Sequence, residues 1–346
     1  MKKKWLLLPT LLLFLCGCAK APATGTTAPA TQPVSVPVTT ASPVTTVAPS
    51  ADTTTPPAQT LQIGFLMRDE SSNSRYEALF QALEQTGMEL TVCYAQKDQS
   101  QQDSQAAQLT DQDLLIVDPV IPDATENLIE TARRAQIPLL FLDHQPEQAL
   151  LESYNKIAYI GYDVAAAGTK QAQLNASLPE GGDLNGDDVI TCLMLRGPED
   201  EIAAQAWTEA AKAALSQVQL LEVLTGDWSQ ASGNRLCALA LSKYGRDIEV
   251  ILCGNELMAL GVVEAIEDGG WTTGQDVYVT PCGNNAQLQS LIRRNAVYGT
   301  VYQDTALWCE RVVQTAQQLL DGQAVEPVIY LDYTVLIGNS TQNSVD

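Results

Sequence analysis

Short, continuously apolar runs alternate with longer segments whose apolar residues recur every three or four positions, from Leu61 almost to the end of the chain. Runs of about four to eight residues bounded by turn formers fit strands buried on both faces, and the longer periodic segments fit amphipathic helices. The pattern predicts strands at Leu61–Met67, Leu90–Tyr94, Leu114–Asp118, Pro138–Asp143 and Ile157–Gly161. Tyr76, Leu79, Phe80 and Leu83 follow the first run at helical spacing. Leu128, Ile129 and Ala132 share one face of a further helix, capped by Asp123 and ending before Ile137-Pro138.

The rhythm restarts after Gly161. Strands are predicted at Val189–Leu195, Leu220–Leu224, Val250–Cys253 and Val277–Pro281, with helices at about Glu199–Ser216, Gln230–Tyr244, Glu256–Asp268 and Asn284–Arg294. Apolar strands joined by helical crossovers imply an α/β chain of two successive Rossmann-like lobes, each a parallel sheet flanked by helices. Ligands of such sheets bind beyond the carboxyl ends of the strands. The candidates are therefore the polar residues just after each strand: Arg68 to Asn73, Asp118, Asp143-His144, Arg196-Gly197, Asp227-Trp228, Asn255-Glu256, Gly283-Asn284 and Gln303-Asp304.

The ends read differently. Lys2, Lys3 and Lys4 precede an apolar run from Trp5 to Leu15, too short for an ordinary membrane span and patterned as an export signal. Residues 1–18 end in Leu15-Cys16-Gly17-Cys18, which looks like a bacterial lipobox and makes Cys18 the expected acylated residue, anchoring the chain by lipid to the bacterial cell membrane on its outer side. Residues 19–60 are almost all Ala, Thr, Pro, Ser and Val; they cannot build a core and are expected to form a disordered tether.

Charge and cysteine content narrow the function. With 41 acidic and 19 basic residues, the net charge of -22 repels nucleic acid, and no DNA-binding segment precedes the module. Six cysteines follow residue 61, mostly in apolar runs where cysteine packs as a small hydrophobe; with no Cys-x-x-Cys and one histidine, a zinc site is not expected. The chain has neither a Gly-x-Ser-x-Gly elbow nor a Cys/His pair at strand ends, so it is not expected to be an enzyme.

Asp183-Leu184-Asn185-Gly186-Asp187-Asp188-Val189-Ile190-Thr191 places oxygen-bearing side chains at its first, third, fifth and ninth positions, with the Val189 carbonyl at the seventh. A calcium loop uses that alternation, but no carboxylate stands at the twelfth position to complete it. A polar surface turn is the alternative, since Asn, Gly and Asp are common turn residues.

Ile248 to Ile266, the loop Asp183 to Thr191, and Gly299-Thr300-Val301-Tyr302-Gln303-Asp304 resemble the galactose/glucose-binding proteins of bacterial ABC transporters, within the type I periplasmic binding proteins. The resemblance covers about residues 61–338. It implies a three-segment hinge dividing the module into one lobe of residues 61–161 plus 304–330 and another of residues 162–303 plus 331–340. It also implies a structural Ca2+ held by Asp183, Asn185, Asp187, the Val189 carbonyl, Thr191 and Glu249, with Asp188 where glycine is usual and Thr191 where glutamine is usual.

The sugar clamp is less well kept. Asp143, Trp228 and Asn255 match ligand positions of the family, whereas Ser72, Ala203, Trp207, Gly283 and Gln303 replace its aspartates, arginine and asparagine. Asn73 and His144 join Ser72, Trp207 and Gln303 as candidate ligand contacts, with Arg68, Asp69, Arg75, Arg196, Asp200, Glu201, Asn284 and Asp304 as neighbours able to compensate. Trp207 alternatively packs in the core, and His144 alternatively is an exposed loop residue. The implied protein is a lipid-anchored solute-binding component of an ABC-type sugar transporter, its partners a small-molecule ligand of the sugar class and a permease or membrane sensor. The alternative is a sensor-associated or degenerate receptor for a sugar derivative, glycoside or other small polar solute.

Overall fold

The computed structural model describes residues 60–338; the apolar run, Cys18, most of the tether and residues 339–346 lie outside the described residues. Ten helices and twelve strands alternate in it. The first lobe begins with β1 (Gln62–Met67), α1 (Asn73–Gln85), β2 (Glu89–Tyr94), α2 (Gln99–Gln108), β3 (Leu114–Val117), α3 (Glu126–Ala135), β4 (Leu139–Leu142), α4 (Gln148–Leu151) and β5 (Ile157–Tyr162). The second contributes α5 (Val164–Ala176), β6 (Ile190–Arg196), α6 (Ile202–Ala214), β7 (Val218–Thr225), α7 (Gln230–Tyr244), β8 (Val250–Cys253), α8 (Glu256–Asp268), β9 (Tyr278–Pro281), α9 (Ala286–Arg293) and β10 (Gly299–Tyr302). The chain then runs through α10 (Thr305–Leu320), β11 (Val328–Leu331) and β12 (Thr334–Ile337).

The first sheet is parallel in the order β11-β5-β4-β3-β1-β2, and the second in the order β7-β6-β8-β9. β10 and β12 pair antiparallel, and a parallel bridge from Cys282 to Val301 joins that ribbon to the end of β9. The backbone therefore passes between the sheets three times: after β5, after β10 and after β11. Sequence order reverses at β1/β3 and at β6/β8, the places where open parallel sheets leave a crevice at their carboxyl ends.

Period-two alternation divides each buried strand between two cores. Ile63, Phe65 and Met67 face α1 and α10 with Leu79, Leu83, Trp308 and Val312; Leu66, Leu115 and Val117 face Ala106 of α2 and Leu128, Ile129 and Ala132 of α3. In the second sheet Leu193, Leu195, Ile251 and Cys253 pack on α7 and α8, and Cys192, Met194, Val250 and Leu252 pack toward α5 and α6. Asp123 does not cap α3: it lies in a short turn of residues 122–124, and Thr125 is the capping position. The prolyl ring of Pro122 fixes that turn before the helix can start.

Cys93, Cys192, Cys237, Cys253, Cys282 and Cys309 are free thiols, all buried but Cys93. Burial pushes Cys192, Cys237 and Cys282 up to about 12, so they pack as apolar groups.

Candidate functional site

A cleft of about 680 Å³ opens where the three crossings meet. Its walls are aromatic: Tyr162 from the end of β5, Trp207 from α6, Trp228 from the loop after β7, Tyr302, Trp308 from the first turn of α10, and Tyr333. Arg75, Asn255, Glu256, Asn284, Gln303 and Asp304 supply the polar edge. Apolar walls with a few placed polar groups are the usual make-up of a small-molecule site.

The crossings themselves are tied together. The Tyr162 hydroxyl donates to the Asp304 carbonyl at 3.2 Å, Gln303 Nε2 donates to the Tyr333 hydroxyl at 3.3 Å, and Lys170 Nζ donates to the Tyr333 carbonyl at 2.6 Å. The Tyr162 and Tyr333 rings pack with centroids 5.1 Å apart. Burial pushes the Tyr162 hydroxyl up to about 12, so it remains a donor.

Asp143 does not point a free carboxylate at a ligand. Arg75 Nε lies 2.5 Å from its Oδ2 and Arg75 Nη2 2.6 Å from its Oδ1, while the buried Tyr76 hydroxyl donates to Oδ2 at 2.6 Å. Burial, then the nearby Asp143 charge, pushes the Tyr76 hydroxyl well above its ordinary value. A bidentate pair of this kind fixes the guanidinium plane, and Arg75 Nη2 also reaches Gln303 Oε1 at 3.4 Å. Asp143 thus positions Arg75 at the cleft edge.

His144 belongs to a second hollow of about 410 Å³ on the first lobe, with Arg68, Asp69, Lys97 and Asp118; Arg75 borders both hollows. Its Nδ1 is 2.8 Å from Oδ1 of buried Asp118, and its Nε2 is 2.6 Å from Arg68 Nη1. Since arginine only donates, Nε2 accepts and Nδ1 carries the proton to Asp118. Burial raises the Asp118 pKa, and the His144 hydrogen bond opposes that rise.

Trp228 has a left-handed φ of 66°, a conformation bulky residues rarely hold. Three contacts hold it. Its carbonyl accepts from Asn255 Nδ2 at 2.8 Å, its indole Nε1 donates to Glu201 at 2.8 Å, and its ring lies over Gly197, where an added Cβ would fall 1.9 Å from Cζ2. Asn255 is engaged at its other end as well, its Oδ1 capping α8 through the Met258 N–H at 2.9 Å. Trp207 is both core and wall: it is buried, and its Nε1 donates to Gln171 Oε1 at 2.8 Å. That hydrogen bond fixes the face it turns to the cleft.

Glu256 follows Asn255 on the first turn of α8 and is half-buried. Among the described residues no group donates a hydrogen bond or forms an ion pair with its carboxylate. Beside it, Gly283 has a φ of 99°, and a Cβ there would fall 2.0 Å from Glu256 Oε2.

The loop from Asp183 to Thr191 is closed from within. Asp183 accepts from the Gly186 N–H at 2.7 Å and the Asp188 N–H at 2.9 Å, Asn185 Oδ1 from Asp187, and Asp187 Oδ1 from Val189. Burial pushes the Asp183 carboxyl up, but these loop amides outweigh it and hold the group below its ordinary value. Glu249 is buried beneath; its Oε1 accepts from Leu184 and Asn185 N–H at 2.8 and 3.1 Å, and its Oε2 from the Thr191 N–H and hydroxyl at 2.8 and 3.1 Å. A carboxylate offers about four lone-pair directions; three N–H groups take three of them, and the one Thr191 hydroxyl proton lies closer to the Asp247 carbonyl than to Glu249. Among the described residues no three His, Cys, Asp or Glu side chains converge as a metal cluster. The side-chain oxygens of Asp183, Asn185 and Asp187 keep lone pairs beyond these bonds, and oxygen donors of this kind are what calcium takes.

Trp207, Trp228, Asn255 and Gln303 therefore line one cleft, Asp143 and His144 line the adjoining hollow, and Arg75 joins the two. Asn73 opens α1, where its Oδ1 accepts from the Tyr94 hydroxyl at 3.0 Å, and borders neither hollow. The Ser72 side chain lies outside the described residues. Tyr162, Trp308 and Tyr333 were not among the expected contacts; the first ends β5 and the last lies two residues past β11, both at hinge crossings, a signal available to the strand-end rule.

Residues 63–324 match a family model described as a periplasmic binding protein domain. The D-galactose/methyl-galactoside binding periplasmic protein MglB of Haemophilus influenzae is 28% identical over 248 residues, 69% of this chain and 74% of that protein. The ribose import binding protein RbsB of Bacillus subtilis is 23% identical over 245 residues, 70% of this chain and 75% of its own length. The fold resembles an ABC transporter periplasmic solute binding protein of Actinobacillus succinogenes with bound D-allose, at a TM-score of 0.64 and 20% identity over 80% of this chain and 98% of that one. A Bacillus halodurans solute binding protein with bound myo-inositol gives a TM-score of 0.62 at 20% identity, covering 81% and 95%. With the two crossed-over parallel sheets and the cleft between them, these matches establish that the chain belongs to the periplasmic binding protein family, in its type I sugar-binding branch, whose members bind solutes and are not enzymes.

Proposed function

We propose that this protein is the extracytoplasmic, lipid-anchored solute receptor of an ABC-type importer and that its ligand is a polyol of the sugar class, held in the aromatic cleft at the three crossings. The cleft carries the reading: six aromatic side chains and a small set of polar groups surround a space suited to a small molecule. Aromatic faces cover the C–H surfaces of a sugar ring while amides and carboxylates take its hydroxyls. Relatives named for galactose and ribose binding support the ligand class. The polar groups here are arranged otherwise than the galactose/glucose resemblance implies, since Asp143 is spent on Arg75 and Tyr76 and Asn255 on Trp228 and α8. A ligand other than free galactose or glucose follows.

Closure of two lobes on a ligand converts binding energy into a shape that a permease reads. The test is a thermal-shift panel of pentoses, hexoses, inositols and methyl glycosides on the purified chain. A bound native-state ligand raises the melting temperature by mass action. A rise with at least one polyol, and none with galactose or glucose, is expected; silence across the panel overturns the sugar-class reading. For the anchor, Lys2 to Lys4, the apolar run and Cys18 support acylation, and Cys18→Ala should release the protein from the membrane fraction.

We also propose that the loop from Asp183 to Thr191, closed from beneath by Glu249, staples the second lobe and holds a structural calcium ion through Asp183, Asn185, Asp187, the Val189 carbonyl, Thr191 and Glu249.

A further inference from the structure

We propose that Glu256 is the ligand-reading carboxylate of the cleft and sets the charge class of the ligand: polyols bearing an ammonium group bind best, neutral polyols next, and polyols bearing a carboxylate are rejected. The inference rests on the sugar-class reading above and deepens it.

Arg75, Asp304 and Asn255 at the cleft edge are already engaged, and Asn284 adds only a neutral amide. Arg75 is neutralised by Asp143 at 2.5 Å. Asp304 Oδ1 caps α10 through the Ala306 N–H at 2.9 Å and the Leu307 N–H at 3.3 Å. Asn255 holds Trp228 and the start of α8. Glu256 alone brings a carboxylate with no donor among the described residues, beside the walls formed by Trp207 and Trp228. Its charge lies at the N-terminal end of a 13-residue helix, where the aligned peptide dipoles favour an anion.

Space for this carboxylate exists because residue 283 has no side chain. The Gly283 backbone cannot retreat: its N–H donates to the Val301 carbonyl at 2.8 Å, and its carbonyl accepts the Thr300 hydroxyl at 2.7 Å. Any Cβ at that site would occupy the volume held by Glu256 Oε2. The adjoining hollow does not reverse the balance, for its three cations, Arg68, Arg75 and Lys97, face three carboxylates, Asp69, Asp118 and Asp143. The uncompensated charge of the site is negative.

A carboxylate accepts charge-assisted hydrogen bonds from ligand hydroxyls, gains an ion pair with an ammonium, and repels a ligand carboxylate. The experiment measures affinities of shape-matched trios, such as mannose, mannosamine and mannuronate, together with the ribose and inositol counterparts, for the full chain and its Glu256→Gln and Glu256→Asp variants. For the wild type the expected order is ammonium over neutral over carboxylate. Glu256→Gln should weaken the ammonium ligand about tenfold or more and bring the order close to flat, while the unliganded melting temperature stays unchanged. Glu256→Asp should keep the order at lower affinity. If a trio binds but the order survives in Glu256→Gln, or the carboxylate member binds best, the role of Glu256 is overturned while the sugar-class reading stands. If no member of any trio shifts the wild type, both fall together.

Discussion

Glu249 and Glu256 stand seven positions apart, on either side of β8, and live in opposite surroundings. Glu249 enters from the amino end of the strand, is buried, and carries three N–H donors from Leu184, Asn185 and Thr191. Glu256 leaves from the carboxyl end, half-buried in an aromatic cleft, and carries none among the described residues. A buried carboxylate held by three backbone donors is structural, because a new partner must compete with them. A partly exposed carboxylate with its lone pairs open is available for recognition. The position of a glutamate at a strand end does not by itself separate these roles; the carboxyl end faces the crevice and the amino end faces a turn.

The strongest blow to this contrast comes from Glu249→Ala. It leaves three buried or half-buried backbone donors without an acceptor, and should cost the protein about 3 kcal/mol, read as a lowered urea midpoint. An unchanged midpoint would mean that the loop amides reach water and that Glu249 is no staple. Gly283→Ala comes next: the left-handed φ of 99° and the collision with Glu256 should cost about 1–2 kcal/mol and also weaken ligand binding. If binding is unaffected, the carboxylate has another resting place and the cleft is looser than it looks.

A smaller effect is expected from Asp118. Its folded pKa is raised by burial above the ordinary 3.8, against the pull of His144, so the folded state binds the extra proton between the two values. This contribution to stability is present in full below the ordinary value and is lost as pH rises through the raised one. Asp118→Asn should remove that part of the stability slope, as seen in melting temperatures across the acid range; an unchanged slope would show that His144 cancels the burial. The smallest expected effect comes from calcium: the melting temperature should be modestly higher in excess calcium than in chelator. Coinciding curves would mean that the loop closes on Glu249 without an ion.

Much of the fold was legible because buried parallel strands are marked by continuous apolar runs, and α7 and α8 begin and end at the predicted residues. α2 was hidden: Gln99 to Gln108 is nearly all polar, and only Gln102 and Ala106 are buried. Its burial rests on a side-chain hydrogen bond, Gln102 Nε2 to the Asp118 carbonyl at 2.8 Å, which periodicity does not register. In the cleft, Trp228 and Gln303 were legible as polar or aromatic residues just past strands, whereas Trp308, inside a helix, had no such mark. Asp143 was read as a ligand contact because it follows a strand and matches a ligand position of the resembled family; Arg75, its partner, is 68 residues away in the chain.

What the sequence by itself determined is the α/β architecture and the set of loops that border the crevice, since both follow from local patterns: apolar runs, periodic faces and the position of polar residues at strand ends. What only the tertiary structure decided is which of those polar residues remain free. Hydrogen-bond capacity is finite and is filled by whichever donors the fold brings near, from Arg75 onto Asp143, from Thr191 onto Glu249, and from none of the described residues onto Glu256.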